Sequence, residues 1–415
     1  MKRITGILCI MFLAAGMIFA NGAKESASGK DVTLTVLWFN DANESDVFKS
    51  TIQDYLTANP NVKLDLQVVA FNDYEQKLKL MISGGNPPDL ARLTTAQIVT
   101  FMDTLEPLDS YTNIAQVKKD FMPAMLAYGI NSKGQVCAYP TEATANGMIV
   151  NKTAWNKAGI DVKTLSKTWT WDQWEEAAKK VLKANDKVKY GLAVDFTPHR
   201  FSTIMYEMGG RFLSADQKKV ELNNPGTINA INMFKKYHDE GLIPQSVWLG
   251  SENPAEMFQA GIVACHIGGS WNINQYAKNV KDFEWCVVST PKGTINSSVP
   301  GGKFIAAFKD GKNKAAAMKL MAAFSDKAHN EKYCLGTSNL SSRQDAAIKY
   351  PANSDDFAVF QKDLAATPAF TAGEWRDPRV AKLSATIKEQ IVQVLMGKES
   401  AEDAVKNVDA KGAAF

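Results

Sequence analysis

The sequence predicts an α/β protein of two lobes built on open sheets. Three observations carry this. The chain has 415 residues, more than one hydrophobic core usually serves, so two units of ordinary size are expected. Its N-terminal part alternates strand-like and helix-like stretches, the order that builds a sheet with crossover helices. No internal repeat or low-complexity linker separates two units, so the chain is expected to cross between lobes more than once.

The first residues stand apart. Lys2 and Arg3 precede an uncharged, mostly apolar run from Ile4 to Ala20, followed by Asn21, Gly22 and Ala23. This is the layout of a secretory signal peptide cut near residues 20–23. The competing reading is a retained membrane anchor, for which the run is slightly short. Cys9 lies inside the run and is poorly placed for a lipoprotein.

After a polar leader, Val32 to Phe39 is β-branched and aromatic and reads as a buried first strand. Asp46 to Ala58 has helical spacing and ends at Asn59-Pro60. Val62 to Val69 alternates as a second strand. Tyr74 to Ile82 is helical, Ser83 to Pro88 breaks it, and Asp89 to Leu93 begins a third strand. Further on, Thr170 is placed to cap a helix with acidic residues in its first turn. Gly191–Val194, Gly261–Gly268 and Phe283–Ser289 read as strands. Thr227–Glu240, Lys314–Ser325 and Pro378–Met396 read as helices.

Composition narrows the function classes. About 45% of residues are apolar and 22% charged, as in ordinary globular proteins. Net charge is +3, and Lys2 and Arg3 supply two of those charges, so nothing points to nucleic acid or to a strong membrane grip. Cys137, Cys265, Cys286 and Cys334 form no Cys-x-x-Cys pair. Cys265 and Cys286 lie in strand-like runs and could be neighbours; otherwise all four are small buried residues. His199, His238, His266 and His329 have no metal spacing, and P-loop, nucleophile-elbow, zinc-protease and dinucleotide motifs are absent. No cofactor is expected.

Four stretches, in order, resemble the extracellular solute-binding proteins of the maltose-binding type. The first is Leu34–Phe39 with Lys77–Asp89, which ends Gly-Gly-Asn-Pro-Pro-Asp. The second is Gly134–Pro140, then Met148–Lys152, then Thr168–Asp172. The third is Met257–Gly261 running into His266–Trp271, and the fourth is Gly397–Ala404 after the last long helix. The resemblance implies a two-lobed periplasmic-binding-protein fold with a hinge and a central ligand cleft. It implies residues 24–140 and 264–325 in lobe 1, and 141–263 and 326–415 in lobe 2, after a signal peptide over 1–23. It also implies a monomer in the periplasm that delivers a sugar or oligosaccharide to the permease subunits of an ABC importer, with no nucleic-acid partner.

Sugars need aromatic rings against pyranose faces and planar polar groups for hydroxyls, and open α/β sheets place such groups beyond strand carboxyl ends. Asn40, Asp41 and Asn43 follow the first strand, where the family binds hydroxyls; they read equally as a turn and helix cap. Arg92 and Thr94 follow the third strand, with Arg92 alternatively a structural partner of Asp89. Thr144 stands where the family has a sugar-binding carboxylate; Glu142 either takes that role or is a hinge residue. Thr197, His199 and Arg200 follow Gly191–Val194, where the family supplies an acidic and an aromatic contact. Trp271 is the leading aromatic candidate, against the alternative of a core tryptophan. Gly302 would let backbone approach the ligand or form a turn. Trp375 and Arg376 precede the last long helix, where the family often has a stacking aromatic. Trp38 reads as core.

Arg92, His199, Arg200 and Arg376 together also suit an acidic sugar such as a uronate. The alternatives are the same fold binding a polyamine, peptide or metal, an exported carbohydrate-active enzyme, or a surface adhesin.

Overall fold

The computed structural model describes residues 31–40 and 43–415. The expected signal peptide, Cys9 and Asp41 lie outside them. The strands are β1 Val32–Trp38, β2 Val62–Val68, β3 Leu90–Thr94, β4 Tyr139–Val150, β5 Tyr190–Val194, β6 Val263–Gly269, β7 Cys286–Val288 and β8 Pro300–Ala307. Their order is β2-β1-β3-β8-β4-β6-β5, with β7 paired to β4 off this path. β1 is parallel to β2 and β3, which the strand–helix–strand reading anticipates. β8 runs antiparallel to β3.

β4 connects the two halves. Its residues from Tyr139 to Ala145 pair with β8 in the first sheet. From Asn146 to Val150 it pairs with β6, and from Met148 to Val150 also with β7, in the second. β5 completes that sheet parallel to β6. The register slips between Pro140 and Glu142, where proline cannot donate to the ladder. The sequence reading missed β4 as one strand, because Pro140, Gly147 and polar residues interrupt any alternation. Gly147 is needed there, since a side chain would press into the Phe360 ring.

β1 is buried on both faces, which explains its unbroken apolar run. Leu34, Val36 and Trp38 join one core cluster, with helix Lys314–Phe324 behind them. Leu37 and Phe39 join the other, with Tyr74 and Leu78. Trp38 is core as expected, stacked on Phe48 with ring centroids 4.6 Å apart. The single helix expected over Asp46–Ala58 is two, Glu44–Thr51 and Gln53–Ala58, because Ile52 (φ −93°, ψ 9°) leaves the helix and buries its side chain. Thr170 caps helix Trp171–Ala184 in a reciprocal box with Gln173.

The expected lobe ranges need correction. β6 and β7 pair within the second sheet, so 264–299 does not belong with the first. The chain returns to the first sheet only at β8. Helix Lys327–Thr337 packs on helix Glu44–Thr51 of the first half, not on the second. Leu340 bridges to Ala143 of β4 and Arg343 to Phe121, and the chain leaves again only beyond Gln344, whose N–H donates to the Asp120 carbonyl. Two of these crossings lie within β4 and β8 and the third is the short segment around Leu340, so no extended linker marks them in sequence.

The four described cysteines are buried and free. Cys265 and Cys286 both lie opposite Val150, on either side of β4. Two strand spacings, roughly 10 Å, exceed disulfide reach. Burial raises both thiols to about 12. Among the described residues no helix is long and apolar enough to cross a membrane, and no cluster of three or more acidic, histidine or cysteine side chains could hold a metal.

His238, on helix Pro225–Asp239, is 2% exposed and its Nδ1 lies 2.7 Å from the Phe234 carbonyl oxygen. Burial holds its pKa down at about 4. The unfolded chain therefore binds this proton first, and its share of stability is lost as pH falls from about 6.5 toward 4. Urea unfolding across this window is expected to show an acid loss that His238→Gln reduces by on the order of 1–3 kcal/mol.

Candidate functional site

A cavity of about 560 Å³ opens between the two sheets. Glu44, Thr144, Lys303, Thr337 and Asn339 line one side; Arg200, Trp271, Asn274, Gln275 and Lys278 line the other. The second group comes from two helix starts. Thr197 caps helix Pro198–Glu207 by accepting from the His199 N–H at 3.0 Å, which sets Arg200 in the first turn. Trp271 is the N-terminal flanking residue of helix Asn272–Asn279. Gly269 must lack a side chain, because the six-membered ring of Trp271 lies against it.

Arg200 is the best-defined group in the cavity. Its guanidinium lies 4.2 Å from the Trp271 ring centroid. Nη1 donates to His199 Nδ1 at 2.7 Å, and Nε is 3.4 Å from Asp195 Oδ2. Asp195 Oδ1 takes His266 Nε2 at 2.8 Å, and the Tyr276 hydroxyl reaches His266 Nδ1 at 2.6 Å. Burial raises the Asp195 pKa, but His266 and Arg200 outweigh it and hold Asp195 ionised. Burial, then the Arg200 charge, holds His199 neutral with a pKa of about 3. A neutral His199 presents a lone pair to Arg200, where a protonated ring would repel it.

Several expected ligand groups are occupied by the fold itself. Arg92 is fully buried, donating to the Phe39 carbonyl at 2.8 Å and to Glu142 Oε1 at 3.1 Å. Glu142 is its partner rather than Asp89, and is equally buried at the strand crossing. Lys303 reaches the same Glu142 oxygen at 3.5 Å from β8. Thr94 caps helix Thr95–Phe101 in a box with Gln97. Asn40 accepts from the Ser45 N–H at 2.9 Å and donates to the Ser45 hydroxyl at 2.8 Å, holding the start of helix Glu44–Thr51. Asn43 is exposed beside it.

Trp375 is absent from the cavity lining. It packs on His199 at 4.8 Å and Phe212 at 5.2 Å, and its Nε1 donates to the Ser202 hydroxyl. Arg376 donates to the Ala127 carbonyl at 2.6 Å, joining helix Ala369–Arg376 to helix Pro123–Tyr128. It borders a second cleft cavity, of about 420 Å³, with Asn131, Gln217 and Asp377. Gly302 faces away from the main cavity, where a side chain would strike the Glu142 backbone and Met125. Gly301 is in register with the cavity residue Thr144, and a side chain on it would meet only the Thr144 hydroxyl.

Glu44, Lys303, Asn274, Gln275, Lys278, Thr337 and Asn339 were not anticipated. Lys303 had a signal: it sits two residues beyond Gly301 on the same strand face. Asn274 and Gln275 stand three and four residues past Trp271, one helical turn on. Asn146, also missed, holds the site from behind. Its amide donates to the His199 carbonyl at 2.9 Å and the Thr203 hydroxyl at 3.0 Å. A groove of about 550 Å³ beside β7 draws its lining from the second half alone, so it is not shared between the halves.

A family model for bacterial extracellular solute-binding proteins matches residues 50–369. The chain belongs to this family. A protein of Brucella abortus named only as a binding protein is 26% identical to this solute-binding protein over 345 residues, covering 81% of this chain and 82% of that one. The diacetylchitobiose-binding protein of Streptomyces coelicolor is 23% identical over 270 residues, covering 65% and 62%. Among solved structures, the cyclic alpha-maltosyl-1,6-maltose binding protein of Arthrobacter globiformis superposes with a TM-score of 0.79 at 19% identity, over 93% of this chain and 99% of that one. At that identity the likeness establishes the two-lobed fold.

The two glycines give a test of orientation. Gly302→Ala in this solute-binding protein is expected to cost about 1–3 kcal/mol in urea unfolding, because backbone stands where the methyl must go. Gly301→Ala is expected to fold with little loss and to weaken ligand binding by crowding Thr144, read by calorimetric titration with whichever ligand binds.

Proposed function

We propose that this chain is the exported, periplasmic binding component of an ABC importer, which captures a sugar or oligosaccharide between its lobes and closes on it. The observation that carries the reading is the cavity whose opposite walls come from the two sheets. Its amides and hydroxyls, from Asn274, Gln275, Asn339 and Thr144, suit ligand hydroxyls. The saccharides in the names of the Streptomyces and Arthrobacter proteins support the same class.

On this reading β4, β8 and the segment around Leu340 form the hinge. Ligand touching both walls favours the closed arrangement by its extra contacts there, and a monomer in that form is what the permease recognises. The first residues direct export, with cleavage near 20–23. The binding role needs no catalytic group, and none is assigned.

Thermal melting against mono- and oligosaccharides, with polyamines and peptides as controls, tests this. A ligand at 100 times its dissociation constant is expected to stabilise the folded form by about 2.7 kcal/mol. The rise should occur with a saccharide class and shrink in Trp271→Ala, which removes the support under Arg200. A rise only with a polyamine or peptide, or with nothing, would overturn the sugar assignment.

A further inference from the structure

The charge around the cavity is uneven. Among the described residues lining it, Arg200, Lys278 and Lys303 are cationic and Glu44 alone is acidic. Among the described residues, two nearby carboxylates are turned to internal partners: Glu142 to Arg92 and Lys303, Asp195 to His266 and Arg200. A site for a neutral sugar gains from exposed carboxylates, which accept hydroxyl protons strongly. Here the charged groups that reach the cavity are mainly donors.

Trp271 points the same way. Its ring is held against Gly269 and already carries the Arg200 guanidinium. While Arg200 stays there, that face is not open to a pyranose. The indole instead fixes a cation, together with the neutral His199 acceptor and Asp195. A guanidinium held by an aromatic face and a neutral acceptor retains a planar edge for an anion. The positive ends of three helices, at Glu44, Pro198 and Asn272, border the same space.

We propose that the cleft takes a carbohydrate bearing a carboxylate or a phosphate, gripped between Arg200 on one wall and Lys303 on the other. This rests on the solute-capture reading above and narrows its ligand class. Trp271 is then a positioning residue for Arg200, and closure brings the two cations onto one anionic group from opposite sides.

Calorimetric titration of the purified protein with matched pairs tests it: digalacturonic acid against galactobiose, glucuronic acid against glucose, and glucose 6-phosphate against glucose. The acidic member of at least one pair is expected to bind about tenfold or more tighter than its neutral partner. That advantage should shrink when salt rises from about 20 mM to about 0.5 M. It should vanish in Arg200→Gln and partly survive in Arg200→Lys, with melting confirming that both variants fold. Whether the uronate or the phosphate pair responds separates the two anionic groups. Neutral partners binding as tightly as the acidic ones would overturn the charge proposal and leave sugar capture standing. Binding of no member of any pair would overturn both.

Discussion

One strand belongs to both sheets. β4 gives its first half to β8 and its second half to β6 and β7, so neither sheet is complete without it. Within β4, movement of one sheet against the other falls near Ala145 and Asn146, where the partners change. Those two residues also carry the second wall of the cavity. The Ser270 N–H donates to the Ala145 carbonyl at 2.9 Å, beside Trp271. The Asn146 amide holds the backbone of His199, beside Arg200. Cavity residues Arg200 and Trp271 are thus tied closely to the point where the sheets join.

The buried charges follow from that junction. Glu142 lies in β4 with no exposure, so it needs cations of its own, and Arg92 from β3 and Lys303 from β8 both reach it. Removing one member of such a group leaves a buried charge poorly compensated, which is far costlier than losing a surface pair. These residues read as ligand candidates because they follow strands and are polar. Their position at the crossing gives them internal work instead. Lys303 is different, because it both reaches Glu142 and lines the cavity.

Much of the architecture was legible in sequence. β1 announced itself by a β-branched and aromatic run, β2 by alternation after Asn59-Pro60 and β3 by its place after the Gly-Gly-Asn-Pro-Pro break, and Thr170 marked its helix start. The lobe boundaries were not legible, because two crossings lie inside strands β4 and β8 and the third is a short segment around Leu340, with no extended linker at any of them. Of the residues named from sequence, Arg200 and Trp271, which follow strands, and Thr144, named from its place in the family pattern, line the cavity, whereas Thr94 and Thr197 are caps, a use the same residue types serve anywhere. Thr337 and Asn339 follow no strand. They reach the cavity only because helix Lys327–Thr337 packs on helix Glu44–Thr51, a tertiary fact without local signature.

The contact between Arg200 and Trp271 shows why residue type alone underdetermines a binding site. A tryptophan after a glycine pair, at the mouth of a cleft, reads as a platform for a sugar ring. The same indole with a guanidinium on its face does something else: it lowers the freedom of a long charged side chain and sets the plane of its donors. Both uses require an aromatic residue at this position. What separates them is the neighbour one turn into the Pro198 helix, and the neutral imidazole beside it that gives the guanidinium a partner without cancelling its charge. The character of the cleft therefore depends on Arg200 and His199 as a pair. A neutral residue in place of Arg200 would return the indole face to the ligand.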